Sequence, residues 1–198
     1  MKRVLQFTPL LLGVLVAAAC GDSNTAPRSP NTPPSYSLLE RGQGRTGFGF
    51  NGTVVSAALQ KISLNGGGSF DASTANNTIP METSGHGNGG FLCITDITAS
   101  ALAGCAAGEG VRWDTVQLLA SSPFKCGGVA GEGLKTATTG DGVIVLRADF
   151  YRAGDGDNKS FTANIFIADH DLADDVPGVQ NIWIQGFGCG SAIVNFSH

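Results

Sequence analysis

Apolar residues at every second position of two neighbouring segments are the feature that most constrains the fold. The segments are VIVLRADFYR, residues 143 to 152, and SFTANIFIA, residues 160 to 168, separated by the turn-rich AGDGDNK. Their apolar faces consist of Ile144, Leu146, Ala148 and Phe150, and of Phe161, Ala163, Ile165 and Ile167. Because successive side chains of a strand point to opposite faces, the pattern predicts a β-hairpin with one apolar face.

The rest of the chain also favours strands over helices. Apolar residues seldom recur at three-to-four spacing, and the 29 glycines interrupt most windows that could form a helix. Further strands are predicted near residues 47 to 58, 60 to 71, 89 to 97, 111 to 120, 131 to 138, 179 to 187 and 191 to 197. The predicted fold class is all-β, an antiparallel β-sandwich or a closed β-barrel of about eight or nine strands.

The first 20 residues have the composition of a lipoprotein signal peptide. Lys2 and Arg3 precede an apolar run over residues 10 to 16, and AAAC ends at Cys20. The run is too short to cross a bilayer core of about 30 Å, and the small residues before Cys20 resemble a lipobox, in which the cysteine is acylated. Cleavage after Ala19 without a lipid is the alternative. The prediction is a bacterial cell-envelope protein, extracytoplasmic and anchored to the membrane through its N-terminal lipid.

Residues 21 to 45 are predicted to be a disordered tether, and residues 46 to 198 a single all-β domain. The tether is rich in Ser, Thr, Asn and Pro and has too few large apolar side chains to offset its ordering entropy. Once Lys2 and Arg3 leave with the signal peptide, 10 basic and 16 acidic residues remain. This acidic balance disfavours a nucleic-acid partner.

The five cysteines fit a lipid anchor and two disulfides. If Cys20 carries the lipid, an even set remains for an oxidising compartment, namely Cys93, Cys105, Cys126 and Cys189. Three pairings are possible, and the sequence alone does not choose between them. We hypothesise Cys93 with Cys105, which closes a short connection, and Cys126 with Cys189, which ties a middle strand to one near the C-terminus. A zinc site is the alternative, but the chain has no CxxC pair.

A repeated motif, AGEG, begins at Ala107 and again at Ala130. A phosphate-binding glycine loop opens a helix whose first N–H groups point at the anion. VRWDTVQLL and LKTATT, the segments that follow, have the alternation and the threonines of strands. The motif therefore indicates glycine-bent strand entrances beside Cys105 and Cys126.

Acidic residues offer a weak candidate site for calcium. Asp169, Asp171, Asp174 and Asp175 lie close together in ADHDLADD and could supply hard oxygen ligands, although solvated loop acids are the simpler interpretation. No other cofactor is predicted. His170 has no recognisable catalytic partner and no serine lies in a GxSxG motif, so no catalytic residue is assigned. A small secreted hydrolase, or another enzyme with an unrecognised site, stays the alternative function.

The second face of the predicted hairpin and of VQNIWIQGFG is a candidate ligand face. It combines aromatic rings with amide and charged groups: Arg147, Tyr151, Asn164, Phe166, Trp183, Gln185 and Phe187. Such a face suits a carbohydrate or a peptide, because rings cover apolar surface while amides fix orientation. The alternative is that these aromatic residues are core. The predicted function is a non-catalytic binding or interaction module.

Four blocks carry a family resemblance: FLC, LAGCAAGEGVRWDT, FKC and VPGVQNIWIQGFGC. In these blocks and their order, the chain resembles a family of small secreted bacterial all-β proteins of unknown function. The resemblance covers most of residues 89 to 197. It implies no activity, ligand or functional residue.

Overall fold

The computed structural model describes residues 44 to 78, 85 to 154 and 156 to 197. The predicted signal peptide, Cys20 and nearly all of the predicted tether lie outside the described residues. The described residues all belong to one compact unit. The described part has no α-helix and ten strands: β1 (Arg45–Ser56), β2 (Lys61–Asp71), β3 (Gly85–Cys93), β4 (Gly110–Leu118), β5 (Ser121–Phe124), β6 (Lys135–Thr138), β7 (Val143–Tyr151), β8 (Phe161–Ala168), β9 (Ile182–Ile184) and β10 (Gly188–Ser197). Within these residues no helix is long and apolar enough to span a membrane.

Eight of the strands form a closed antiparallel barrel in the order β1-β10-β9-β8-β7-β4-β3-β2. The predicted hairpin is β7 and β8, which pair from Val143 with Ala168 to Phe150 with Phe161. Its predicted apolar face points into the barrel, where it packs with side chains from β1, β2 and β3. The all-β prediction is confirmed, and of its two architectures the structure is the closed barrel.

A glycine-rich wall lets the barrel close tightly around Trp113. The indole of Trp113 on β4 is fully buried and its Nε1 donates a hydrogen bond to the backbone oxygen of Asn65 at 3.0 Å. A Cβ atom at Gly66 would lie 2.5 Å from the Trp113 ring, and one at Gly89 would lie 2.7 Å from Nε1. Glycine is needed here for close approach, since a strand glycine leaves room for a neighbouring group.

The two remaining strands form a separate hairpin on the outside of the barrel. We call residues 121 to 138, which include β5 and β6, the flap. With the loop of residues 169 to 181, the flap covers the outer faces of β7, β8 and β9 and creates a second apolar cluster there, centred on Phe124, Phe166 and Trp183. The molecule therefore has one core inside the barrel and another between the barrel and the flap.

The observed strands correct several of the sequence predictions, and the strand expected over residues 131 to 138 begins only at Lys135. Strand β5 was not predicted, because its four residues include Pro123 and show no long alternation. The strand expected over residues 89 to 97 runs instead from Gly85 to Cys93 and begins in glycines with low strand propensity. The strand expected over residues 179 to 187 shortens to Ile182–Ile184, because a turn follows at residues 185 to 187.

Both hypothesised disulfides are present. Cys93 bonds to Cys105 and Cys126 bonds to Cys189, with Cα–Cα distances of 6.3 and 4.7 Å. The first closes the loop between β3 and β4. The second is a cross-link between the flap and β10.

Candidate functional site

The predicted ligand face lies on the outside of the barrel, but the flap covers its centre. Val145, Phe166, Trp183 and Cys189 are cross-strand neighbours on β7, β8, β9 and β10. Phe166 is fully buried and Trp183 is 4% exposed, so these two rings do not form the open face that the sequence suggested. Arg147 and Gln185 are exposed, while Tyr151 and Asn164 are half-buried around the covered centre.

Three aromatic rings fill the space under the flap. The Phe124 ring meets the Phe166 ring edge-on at 4.7 Å, and the Phe166 and Trp183 rings stack at 5.8 Å. The indole nitrogen of Trp183 donates to the backbone oxygen of Lys125 at 3.1 Å, which satisfies the one polar atom of this ring. Burying a large aromatic side chain contributes about 2 to 3 kcal/mol, so this cluster holds the flap against the barrel.

Phe187 is placed differently from the prediction. The alternation of VQNIWIQGFG put it on the outer face with Trp183, but β9 ends at Ile184 and the turn that follows directs Phe187 to the inner core. The edge of its ring is accessible beside the flap. Side chains alternate between the two faces only within a strand, and this alternation does not continue through a turn, which explains the error.

An open pocket lies where the flap meets β9 and β10. Its volume is about 400 Å³, and its walls include Phe124, Leu134, Trp183, Phe187 and the Cys126 end of the disulfide. Leu134 stands at the rim with 70% of its surface exposed. Lys125 is the only charged residue in the lining, so the pocket suits an apolar group rather than an ion.

The repeated AGEG forms two turns of the same construction. The turns comprise residues 106 to 109 and 129 to 132, and each is closed by a backbone hydrogen bond from the glutamate N–H. The third residue of each turn is a glycine with positive φ, +88° at Gly108 and +84° at Gly131, as a type II turn requires. The glutamate that follows folds back onto the chain after a disulfide cysteine: Glu109 accepts the N–H of Ala106 at 2.8 Å, and Glu132 accepts the N–H of Gly127 at 2.6 Å. The repeat is architectural, as the sequence indicated.

The second glutamate belongs to a partly buried ionic cluster, which we call the clamp: Glu132, Lys135 and Asp175. The Glu132 side chain is 3% exposed, accepts the N–H of Cys126 at 2.6 Å, and lies 3.0 Å from the Lys135 ammonium. Lys135 also contacts Asp175, in the loop after β8, at 2.6 Å. The clamp therefore ties the flap to that loop, beside the pocket.

The clamp also sets protonation states. Burial by itself would raise the pKa of Glu132, but the hydrogen bonds from Cys126 and Gly127 and the charge of Lys135 outweigh it and lower this pKa below 4.5. Burial would likewise lower the pKa of Lys135, but Asp175 and Glu132 raise it above 10.5. Both groups are therefore held in their charged forms.

We expect the clamp to make the free energy of unfolding of the domain depend on pH in the acidic range. A carboxylate whose pKa is lowered by folding contributes stability above its unfolded pKa, and this contribution is lost as the pH falls through the folded pKa. The urea midpoint should therefore fall as the pH drops below about 4.5, and Glu132→Gln should show a smaller fall. At neutral pH this variant should lose about 2 kcal/mol, because buried N–H donors lose their carboxylate.

The matched control is Glu109→Gln, which changes the equivalent residue of the first turn. Glu109 accepts one backbone N–H and has no lysine partner in the described chain. This variant should keep the acid dependence of the wild type. Identical pH profiles for wild type and Glu132→Gln would contradict the role of the clamp.

The four acidic calcium candidates do not converge on one point. Asp171 accepts the N–H groups of Ala173 and Gln180 and so closes its own loop, while Asp175 belongs to the clamp. Asp174 is exposed, and Asp169 bonds to the Nδ1 atom of His170 at 2.7 Å in an exposed pair. Across the described ranges no group of three or more His, Cys, Asp or Glu is placed to hold a metal ion.

Comparison with protein-family models, with curated proteins and with solved structures found no significant match to this chain. The resemblance to a family of small secreted bacterial proteins therefore stays a prediction. The assignment of a site rests on the geometry of the flap, the clamp and the pocket.

Sequence reasoning missed the flap and the clamp, although one signal for the flap is present. Residues 143 to 146 (VIVL) and 165 to 168 (IFIA) are apolar at every position, and continuous apolar runs indicate strands that are buried on both faces. Nothing comparable points to the clamp, because Lys135 and Asp175 are separated by 40 positions in the sequence and meet only through the fold.

Proposed function

We propose that this chain is a lipid-anchored binding module of the bacterial cell envelope, and that its pocket holds an apolar side chain of an extracytoplasmic peptide or protein. The observation that carries the proposal is the open pocket between the flap and the barrel, where aromatic and aliphatic residues line about 400 Å³. Clefts with apolar walls and few polar groups are the usual form of a binding site.

The chemistry of the walls favours a peptide over a carbohydrate. A sugar needs several side-chain hydrogen-bond partners in one plane, yet Lys125 is the only lining residue with a free charged group, and the Trp183 nitrogen is already bonded. Leucine or phenylalanine of a partner would instead exchange water for contact with Leu134, Phe124 and Phe187. Binding to walls of this composition is stabilised mainly by the burial of apolar surface.

The position of the pocket gives it rigid walls. Cys126 lines the pocket and its disulfide to Cys189 ties this wall to β10, and the clamp fixes the chain next to Leu134. A pocket whose walls are held in place loses little conformational entropy on binding. The structure thus supports binding by a preformed site.

We expect Leu134→Glu to weaken peptide binding about tenfold or more, because it places a charge at the apolar rim. The chain from Gly21 onward is first used to select binding peptides from an immobilised library of random hexapeptides. The affinities of the wild type and the variant for the selected peptides are then measured by titration. Selected peptides should carry Leu, Phe or Trp. The fold should be unaffected, since Leu134 is exposed.

The matched control is Leu92→Glu, which alters another exposed leucine on the outer face of β3, outside the pocket. It should leave peptide binding unchanged. Equal losses of affinity in both variants would contradict a specific role for the pocket. If the protein bound oligosaccharides and not peptides, the ligand would be a glycan and the peptide proposal would be wrong.

The membrane anchor is tested separately. Cells expressing the chain and labelled with a radioactive fatty acid should incorporate label into the wild type and not into Cys20→Ala, because acylation requires this thiol. Fractionation should then find the wild type with membranes. Equal labelling of the two chains would exclude a lipid at Cys20 and leave a secreted protein.

A further inference from the structure

Strand β9 closes the barrel with only three residues, so most of β10 has a single neighbour. β10 pairs with β1 along its whole length, from Gly188 to Ser197, but with β9 only at Gly188, Cys189 and Gly190. The backbone groups of Ala192 are bonded to a side chain instead of a strand. The carboxamide of Asn181 accepts a hydrogen bond from the N–H of Ala192 and donates one to its C=O. Beyond Ala192, β10 has no second strand partner within the described residues.

The register determines which backbone groups face this open side. The carbonyl of Gly190 and both backbone groups of Ala192 bond to Asn181, away from β1. Pairing of β10 with β1 has no bulge, and the direction of backbone groups alternates along a strand. Val194 and Phe196 therefore direct their N–H and C=O groups outward at the edge of the sheet.

This edge lacks the protection that is usual in natural sheets. Edges are commonly blunted by proline, lysine, a bulge or a covering side chain, and β5 shows such features: its exposed edge contains Pro123, and Asn77 bonds to both the N–H and the C=O of Ser121. The segment IVNFS at the end of β10 has no charge and no proline. Ile193 on its outer face is 82% exposed.

We propose that this edge pairs with the same edge of a second copy, so that two barrels join through antiparallel β10 strands. A twofold axis at Asn195 sets Asn195 against its counterpart and Val194 against Phe196 of the partner copy. The two symmetry-related pairs of Val194 with Phe196 can each exchange both backbone hydrogen bonds, whereas the two Asn195 residues, whose backbone groups face β1, form a non-hydrogen-bonded pair at the axis. The half-buried Val194 and Phe196 side chains, which pack on the inner core, lose further exposure.

A second copy fits this edge because the segment is compatible with itself. An isologous contact needs a surface that complements its own copy, and an uncharged segment brings no like charges together at the axis. The paired segment is short, so the complex is weak in solution, and anchoring of both copies to one membrane would raise their effective concentration.

The test uses charge at the twofold axis. Asn195→Asp and Asn195→Lys each place like charges directly opposite, which should weaken self-association several-fold, while an equimolar mixture should restore it through opposite charges. Sedimentation equilibrium of the chain from Gly21 onward, up to millimolar concentration, measures the monomer–dimer constant. Asn51→Asp, on the neighbouring strand β1 and also exposed, is the control and should associate like the wild type.

A backbone variant gives an independent readout. Val194→Pro removes an outward N–H and leaves the β1 ladder intact, so it should abolish dimers with little change in folding. In cells, a photoreactive phenylalanine at Ile193 of the full chain should yield a cross-linked product of twice the mass, which Val194→Pro removes. A wild-type chain that stays monomeric at the highest concentration, a mixture that is no stronger than either variant, or cross-links only to another protein would overturn the proposal.

Discussion

Gly89→Ala is expected to destabilise the barrel by about 3 kcal/mol or more, which is the upper range for an overpacked core. The added methyl would lie 2.6 Å from the Gly66 Cα atom and 2.7 Å from the Trp113 indole nitrogen. Both neighbours are fixed, since one is backbone and the other is a fully buried ring bonded to Asn65. Relief would require β2 and β3 to separate at the point where their glycines let the barrel close.

The comparison that isolates this effect is Gly49→Ala, a glycine on β1 with no atom within 4 Å of the added methyl. Its stability should change by no more than about 0.5 kcal/mol. Urea unfolding followed by circular dichroism measures both variants. If Gly89→Ala were as stable as Gly49→Ala, the close approach of Trp113 to the glycine wall would not be the reason for glycine at this position.

Removing the Cys126–Cys189 disulfide is expected to have the second large effect. The bond spans 63 positions of the chain, whereas Cys93–Cys105 spans 12. Loop entropy predicts a loss of about 4 kcal/mol for the longer span and about 3 kcal/mol for the shorter one. The double variant Cys126→Ala with Cys189→Ala should therefore be the less stable of the two disulfide deletions.

The two deletions should also differ in the way the protein unfolds. Without Cys126–Cys189 the flap is held by the aromatic cluster, the clamp and a few hydrogen bonds at its β5 end, such as that from Asn164 to Ser122, so in urea the Trp183 environment should become polar before the strands unfold. A red shift of tryptophan fluorescence that precedes the loss of circular dichroism would show this. Cys93→Ala with Cys105→Ala should give coincident transitions. Coincident transitions in both would mean that the flap and the barrel unfold together even without the covalent link.

The flap connects these stability predictions to the proposed function. Pocket, clamp and disulfide share the segment from Cys126 to Lys135, and the same aromatic rings that hold the flap down also form the pocket walls. Conditions that release the flap, either reduction or acid, should therefore weaken peptide binding before the barrel unfolds. An extracytoplasmic compartment that keeps the disulfide oxidised would preserve the site.

The sequence determined the elements whose pattern is local. Alternation in residues 143 to 152 and 160 to 168 determined the β7–β8 hairpin and its inner face, because a period of two follows from backbone geometry alone. The context of AGEG favoured glycine-bent strand entrances over a helix-opening phosphate loop, and the count of four cysteines in the domain indicated two disulfides. The pairing was a hypothesis that rested on plausible loop lengths.

Only the tertiary structure decided what covers the other face. Whether Phe166 and Trp183 form an open surface or a second core depends on where β5 and β6 pack, and the sequence of the barrel strands does not contain that information. The clamp depends on an encounter between Lys135 and Asp175, and the open edge of β10 depends on β9 beginning only at Ile182, opposite Gly190. Each is set by contacts between residues far apart in the chain, so the local periodicity that determines strands leaves them undetermined.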